Sequence, residues 1–193
     1  MDPSLSDDLR LIKATAERFA AERIAPGYMA RETSARIDRA LIREIGQLGL
    51  IAPEVPQHLG GLGLPSLTSG LIAEAIGHAD LNVAYLQVLG SLNGKIIAEH
   101  ASPALAEQWV PKIVAGEAVA CLGLTEPRGG SDAANLALSA RPDGNRYILK
   151  GEKSSISMAD QSDVMVLFAR TGAVDAKARG VSAFLVPMAT PGI

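Results

Sequence analysis

The sequence predicts an α+β fold in which helices occupy the first part of the chain and strands the second. Up to Gly116, apolar residues recur at steps of three and four, which is the spacing of amphipathic helices. Beyond Gly116 the segments become short and β-branched and are separated by turn residues, which is typical of strands. The chain has 193 residues, of which 48% are hydrophobic, so it is long enough to bury a substantial core.

The first two helices are predicted from apolar stripes and from the residues that flank them. One stripe runs through residues 5–19, and Pro26-Gly27 is predicted to end that helix. The other runs through residues 37–48, with Asp38 near its start and Gly49 as its stop.

Residues 52–63 are rich in proline and glycine and are predicted to form a loop. Ser66 is the expected N-cap of the third helix. The inner face of that helix is predicted to comprise Leu67, Leu71, Ala75 and Ile76. Residues 83–98 are apolar on most sides, which predicts a helix buried in the middle of a bundle.

The last helix is predicted to begin at Ser102-Pro103 and to end at Gly116, with a kink or break at Pro111. Five strands are predicted at residues 119–125, 138–141, 147–150, 164–170 and 181–187. Residues 142–145, with the sequence Pro-Asp-Gly-Asn, are expected to connect the second and third strands as a hairpin. We place the boundary between a helical domain and a β domain at residues 117/118.

Composition excludes several classes of protein. The net charge is −3, with 18 basic and 21 acidic residues, which gives no sign of a nucleic-acid-binding surface. The single cysteine, Cys121, excludes a disulfide framework or a multi-cysteine zinc site, and its apolar strand makes it a core residue rather than a nucleophile. The three histidines lack metal-ligand spacing, so no metal is expected. Residues 1–8 are acidic and no apolar run reaches membrane-spanning length, so we expect a soluble, cytoplasmic protein without a membrane partner.

The strongest candidate for a binding loop is residues 124–132. Consecutive glycines at Gly129-Gly130 allow backbone N–H groups to approach an anion, because no Cβ obstructs them. Thr125 and Ser131 add hydroxyl groups and Arg128 adds a positive charge, which suits a phosphate, a pyrophosphate or the polar edge of a heterocycle. Judged by itself, such a loop can equally be a simple turn.

Other motifs give weaker predictions. Residues 61–66 are not a dinucleotide fingerprint, because they follow a loop and contain Pro65. Ser131-Asp132 lacks the Gly-x-Ser-x-Gly context of a hydrolase. Residues 150–153 are interpreted as a charged turn, with a functional role as the alternative.

The sequence around this loop resembles the acyl-CoA dehydrogenase family. Residues 123–127 followed by residues 129–132 look like the first signature of that family. The resemblance continues, in order and spacing, at residues 49–54, 60–63, 109–112, 115–117, 147–153 and 181–187. It implies a helical N-terminal domain at residues 1–117 and an incomplete antiparallel middle β domain at residues 118–193. By the same resemblance, the family's C-terminal helical bundle is expected to be absent from this chain.

The resemblance also implies a site. The residues expected to bind FAD are Leu122, Gly123, Leu124, Thr125, Gly130, Ser131, Ser155, Ile156 and Ser157. Thr125 would meet the pyrimidine side of the flavin, Ser131 would also contact the acyl-CoA substrate, and Ser157 would lie by flavin N5. Ser155 departs from the family's large aromatic residue, and Asn135 departs from its usual small residue. One hypothesis is that Ser155 leaves room for a bulkier, cyclic acyl group, which a comparison of cyclic and straight-chain acyl-CoA turnover would test.

The function implied by the resemblance is α,β-desaturation of an acyl-CoA in fatty acid metabolism, with hydride transfer to FAD. Electrons would then pass to an electron-transfer flavoprotein, and the full-length protein would be a homo-oligomer, either a tetramer or a dimer. No residue is assigned as catalytic, because the general base is expected in the missing bundle. Glu126 and Asp132 are expected to fix the loop rather than to abstract a proton. An acyl-CoA oxidase and an inactive, truncated structural module of the same fold remain alternatives.

Overall fold

The computed structural model describes residues 5–193, so the first four residues of the acidic N-terminal segment lie outside the described residues. The chain divides into a helical unit that ends at Val119 and a β unit that begins at Ala120. The predicted order of helices followed by strands is confirmed. Within the described range, no helix is both long and apolar enough to cross a membrane.

Six α-helices form the helical unit. They are α1 (Asp7–Phe19), α2 (Tyr28–Ser34), α3 (Arg39–Gln47), α4 (Ser66–Gly77), α5 (Leu81–His100) and α6 (Pro103–Val114). Asp38 is the N-cap of α3, as expected, and its carboxylate accepts a hydrogen bond from the Ala40 N–H at 2.9 Å. Gly49 follows that helix with φ +69°, the left-handed conformation that favours glycine.

The predicted helix end at Pro26-Gly27 is wrong. The chain continues from α1 through a π-helical turn, Ala20–Ile24, and a 3₁₀ turn, Ala25–Gly27, directly into α2. Pro26 is tolerated because it lies in the first turn of a new helical segment, where its missing N–H has no partner to lose. The α2 helix ends instead at Ala35, whose φ is +51°.

The predicted inner faces of two helices are only partly correct. The N-cap of α4 is Pro65 rather than Ser66, and the face that packs inward carries Thr68 and Ile72 while Leu67 is 51% exposed. Leu71 is half-buried, whereas Ala75 and Ile76 are buried as expected. A shift of one residue turns the buried face by about 100°, because a helix has 3.6 residues per turn.

The α5 helix is not buried all round. Its inner side includes the polar residues Gln87 and Ser91, and its exposed side carries the apolar residues Leu81, Tyr85, Val88 and Leu92. Apolar content therefore failed to indicate which side of this helix faces the core. The α6 helix runs through Pro111 as one element, so the predicted break does not occur.

The β unit is a five-stranded mixed sheet. Its strands are β1 (Ala120–Gly123), β2 (Ser139–Asp143), β3 (Arg146–Lys150), β4 (Val164–Arg170) and β5 (Val181–Pro187). The β2–β3 and β4–β5 pairs are antiparallel, and Gly144, at φ +61°, turns the predicted hairpin. The expectation of a wholly antiparallel sheet needs correction, because β1 and β2 both run parallel to β4.

The pairing of β4 explains where the candidate loop lies. One edge of β4 is paired along its whole length with β5, so β1 and β2 share the other edge. Gly123 pairs with Leu167, and Ser139 resumes the pairing at Arg170. The intervening residues, 124–138, therefore leave the sheet edge and return to it a few residues further along.

Candidate active site

The structure brings the two predicted flavin-binding segments together. The Ser154 N–H donates to the Thr125 carbonyl at 3.0 Å, and the Lys153 ammonium donates to the Leu124 carbonyl at 3.0 Å. These bonds join the chain that leaves β1 to the chain that follows β3. As a result, Thr125 and the segment Ser155–Ser157 lie in one part of the β unit.

A buried ion pair reinforces this junction. The Glu126 carboxylate accepts from the N–H groups of Ala137 and Leu138 at 2.7 and 2.8 Å and from the Lys153 ammonium at 2.9 Å. The two charged side chains are only 7% and 5% exposed. Burial by itself raises the pKa of Glu126, but the two backbone N–H donors and Lys153 outweigh it, so the pKa is lower than usual. Glu126 is thus an ionised structural anchor, as expected, and all its bonds serve to hold the loop.

The glycine turn is built as the sequence suggests. Glu126 and Gly129 exchange backbone hydrogen bonds at 3.1 and 2.9 Å, which closes a tight turn. Gly129 has φ +146°, a conformation that L-residues rarely adopt. A Cβ at Gly130 would lie 3.0 Å from the Thr125 hydroxyl, so a side chain there would require Thr125 to shift by a few tenths of an ångström.

A second turn, Ala133–Asn135, follows the glycine turn. The Asn135 side-chain amide donates to the Asp132 carboxylate, and Arg128 donates to the Asn135 carbonyl at 3.0 Å. Asp132 therefore helps to fix the loop, as expected. A polar cavity of about 300 Å³ lies here, lined by Glu126, Arg128, Gly129, Asp132, Asn135 and Leu136.

The other predicted site residues have varied surroundings. Leu122 and Gly123 lie on β1, where Gly123 packs so closely on Met165 that a Cβ would come 2.5 Å from its sulfur. Ser131, Ser155 and Ser157 are exposed, as suits residues that would meet a ligand. Ser155 adopts φ +54°, an uncommon conformation for a residue with a side chain.

Two cavities in the described part of the β unit do not coincide with the predicted contact residues. None of those residues lines the polar cavity, and only Ile156 lines a larger, mainly apolar groove of about 610 Å³ on the sheet. That groove also involves Leu138, Leu149 and Leu167. Of the predicted flavin contacts, Ser131, Ser155 and Ser157 are exposed, Gly123 is buried and the others are half-buried.

Sequence reasoning missed the role of Lys153, which it assigned to a charged turn. The available signal was an unpaired acidic residue, Glu126, in one loop and a basic residue in another loop of the same predicted sheet. Cys121 is buried, as predicted, and burial raises the pKa of its thiol. Among residues 5–193, no group of three or more potential ligands is arranged to hold a metal ion.

Comparison with known proteins identifies the family. Residues 6–117 match the acyl-CoA dehydrogenase N-terminal domain, and residues 121–193 match the acyl-CoA dehydrogenase middle domain. The chain belongs to the acyl-CoA dehydrogenase family. Within it, the chain is 33% identical to the mitochondrial short-chain specific acyl-CoA dehydrogenase of Bos taurus, over 98% of this chain and 46% of that protein.

Solved structures of similar proteins agree with this assignment. A glutaryl-CoA dehydrogenase from Mycobacterium smegmatis in complex with FADH2 aligns with a TM-score of 0.90 at 32% identity, over 100% of this chain and 48% of that one. A structure described as the electron transferring flavoprotein of Acidaminococcus fermentans aligns with a TM-score of 0.92 at 30% identity, over 100% of this chain and 50% of that one. The chain therefore spans about half the length of the relatives that it matches.

Proposed function

We propose that this chain supplies the FAD-binding part of an acyl-CoA dehydrogenase that desaturates an acyl-CoA thioester. The observation that carries the proposal is the junction of residues 122–131 with residues 153–157 through Lys153, Glu126 and Ser154. A relative solved with FADH2 supports the choice of cofactor. Domains at residues 1–117 and 118–193 are part of the same proposal.

The residues at the junction fit a flavin in several respects. The Thr125 hydroxyl lies beside a glycine whose missing Cβ keeps the space open, and the exposed hydroxyls of Ser131 and Ser157 are available to polar groups. Arg128 lines the polar cavity and would supply positive charge to the phosphates of FAD. Ser155 offers no aromatic face, so the packing on that side of the ring must come from elsewhere.

When bound, FAD would accept the hydride that leaves the acyl β-carbon. The part of this chain would be to bind and orient: Thr125 and Ser157 would donate to ring edges, and Ser131 would contact the substrate. The base that removes the α-proton is proposed to lie outside these residues, because Glu126 is fully engaged with Lys153 and two backbone amides. Electron transfer to an electron-transfer flavoprotein, a homo-oligomeric full-length protein and a cytoplasmic location stay predictions.

Titration of the purified chain with FAD, followed by flavin absorbance and fluorescence, tests this function. We expect one FAD per chain, and about fivefold weaker binding in Thr125→Val, because that change removes one hydrogen bond of about 1 kcal/mol without changing shape. Thr33→Val is the matched control, because its hydroxyl donates to the Met29 carbonyl at 2.9 Å at an exposed position of the helical unit. A folded chain that stays colourless would contradict the proposal and would favour an inactive structural module.

A further inference from the structure

Arg170, the last residue of β4, is buried and donates hydrogen bonds to backbone carbonyls in two separate segments of the β unit. Its guanidinium donates to the carbonyls of Leu136 at 3.0 Å and Ala134 at 2.5 Å. It also donates to the carbonyls of Ala173 at 3.4 Å and Lys177 at 3.2 Å. Only 8% of the residue is exposed, so water contributes little to its solvation.

The first pair of contacts reaches the wall of the polar cavity. The carbonyls of Ala134 and Leu136 are held by Arg170, while the carbonyl between them, on Asn135, is held by Arg128. Three successive carbonyls therefore accept hydrogen bonds from two guanidinium groups. The N–H donors of a guanidinium lie in one plane at fixed positions, so the carbonyl oxygens that accept from them are held in place. These bonds therefore restrict the orientation of the turn.

The second pair of contacts reaches the connection between β4 and β5. Lys177, in that connection, adopts φ +50° and ψ −128°, an unfavourable conformation for a residue with a side chain, and its carbonyl is one of the Arg170 partners. The connection also packs closely on the guanidinium, because a Cβ at Gly180 would lie 3.0 Å from Nη1. One side chain thus links a strained turn to the loop at the site.

We propose that Arg170 is a positioning residue that couples the β4–β5 connection, residues 171–180, to the turn Ala133–Asn135, which is hydrogen-bonded to Arg128 and Asp132 of the candidate flavin-binding loop. The relevance of this coupling to flavin rests on the proposed function. The coupling itself is a property of the chain without ligand.

Amide hydrogen exchange on the chain without FAD tests the coupling. The probes are the N–H groups of Asn135, which bonds to Asp132, and of Ala176, which bonds to Ala173. Arg170→Lys keeps the charge, but a compact ammonium cannot reach both sides at once. We expect both amides to exchange at least tenfold faster, while the amides of β3 keep their rates.

Gly180→Ala is a second variant, which keeps the Arg170 side chain and changes the β4–β5 connection instead. The new methyl carbon would lie 2.9 Å from the Ala173 carbonyl oxygen and 3.0 Å from Arg170 Nη1, which donates to that oxygen, so this contact must change. We therefore expect the Asn135 amide to exchange faster, although the substitution lies in the other turn. Arg31→Lys is the matched control, because it alters a mostly buried arginine in the helical unit. An Asn135 rate that changes less than twofold in both variants overturns the proposal.

FAD titration of the same variants separates this inference from the proposed function. At temperatures where all variants are folded, we expect FAD to bind about tenfold more weakly to Arg170→Lys and Gly180→Ala. Its affinity for Arg31→Lys should equal that for the unaltered chain. Faster exchange with unchanged FAD affinity overturns the role of Arg170 at the site. If the unaltered chain binds no FAD but both amides respond together, the proposed function fails and the coupling is supported.

Discussion

Each unit of the molecule contains a buried ion pair that also binds the backbone, and the two pairs differ in what they join. In the helical unit, Arg31 bonds to Asp80 at 2.6 Å, and these side chains are 13% and 0% exposed. Asp80 also accepts from the N–H groups of Asn82 and Val83 at the start of α5. This pair therefore links elements that already have their own helical hydrogen bonds.

The pair in the β unit joins segments that have no regular structure. Lys153 and Glu126 bind the carbonyl of Leu124 and the N–H groups of Ala137 and Leu138, all of which lie in loop or at its edge. These segments lack helices or a sheet ladder of their own, so the ion pair, together with the bond from the Ser154 N–H to the Thr125 carbonyl, fixes their separation. The same chemistry thus stabilises a scaffold in one unit and shapes a candidate site in the other.

The largest effect is expected from Lys153→Met. Removing the cation leaves the buried Glu126 carboxylate without its counter-charge and with only its two backbone donors, which costs about 3–5 kcal/mol of unfolding free energy. We also expect FAD affinity to fall by more than tenfold, because the segments at the junction are no longer fixed. Urea unfolding and FAD titration measure the two quantities. An FAD affinity within twofold of the unaltered chain would show that the pair serves stability alone.

Arg31→Met is the matched change in the helical unit, with a somewhat smaller effect. We expect a loss of about 3 kcal/mol, because Arg31 is 13% exposed against 5% for Lys153, while Asp80, like Glu126, keeps two backbone donors. FAD affinity should remain within twofold, since no predicted flavin contact lies in this unit. A large loss of FAD binding by the folded variant would break the distinction between the two pairs.

Acid should weaken the β unit through Glu126. The pKa of Glu126 is lower in the folded chain than its ordinary value of 4.5, so its stabilising effect is complete above that value and is lost as the pH falls through the folded pKa. We expect the unfolding free energy to decrease below about pH 4.5 and Glu126→Gln to flatten this dependence.

Glu44→Gln is the control for this pH effect. The hydrogen bond from Arg23 also lowers the pKa of Glu44, although that carboxylate lies at the surface of the helical unit. Its substitution should leave the acid dependence of the β-unit signal unchanged. If Glu44→Gln and Glu126→Gln flattened the pH dependence of the unfolding free energy equally, the acid sensitivity could not be assigned to Glu126.

The smallest effects concern two left-handed residues, Ala35 after α2 and Met158 after the predicted flavin segment. Glycine removes the steric cost of a positive φ. Ala35→Gly and Met158→Gly should therefore each raise the unfolding free energy by about 0.5–1 kcal/mol. Ala73→Gly, inside α4, is the control and should cost about 1 kcal/mol. Thermal unfolding measures all three, and a loss of stability in Ala35→Gly would contradict this account.

Much of the fold could be predicted because it depends on local patterns. The bounds of β4 and β5 follow from β-branched runs between turn residues, and Asp38 and Gly49 mark the ends of α3 as their chemistry dictates. The continuation past Pro26 could not be predicted, because proline ends one helix and begins another with equal ease.

The site was only partly predictable for a related reason. The glycine turn is a local feature, and its residues were identified from sequence. The bonds from Lys153 to Leu124 and Glu126, and from Arg170 to Ala134, connect residues far apart in the chain, so only folding brings them together. The inward polar face of α5 depends likewise on its neighbours.

Chemical-shift mapping of the backbone amides during FAD addition tests the central claim most directly. The account predicts that the amides of residues 122–131 and 153–157 shift together with a single saturating curve, while those of α5 stay in place. Shifts confined to other residues, or none at all in a folded chain, would contradict the assignment of a flavin site to this junction.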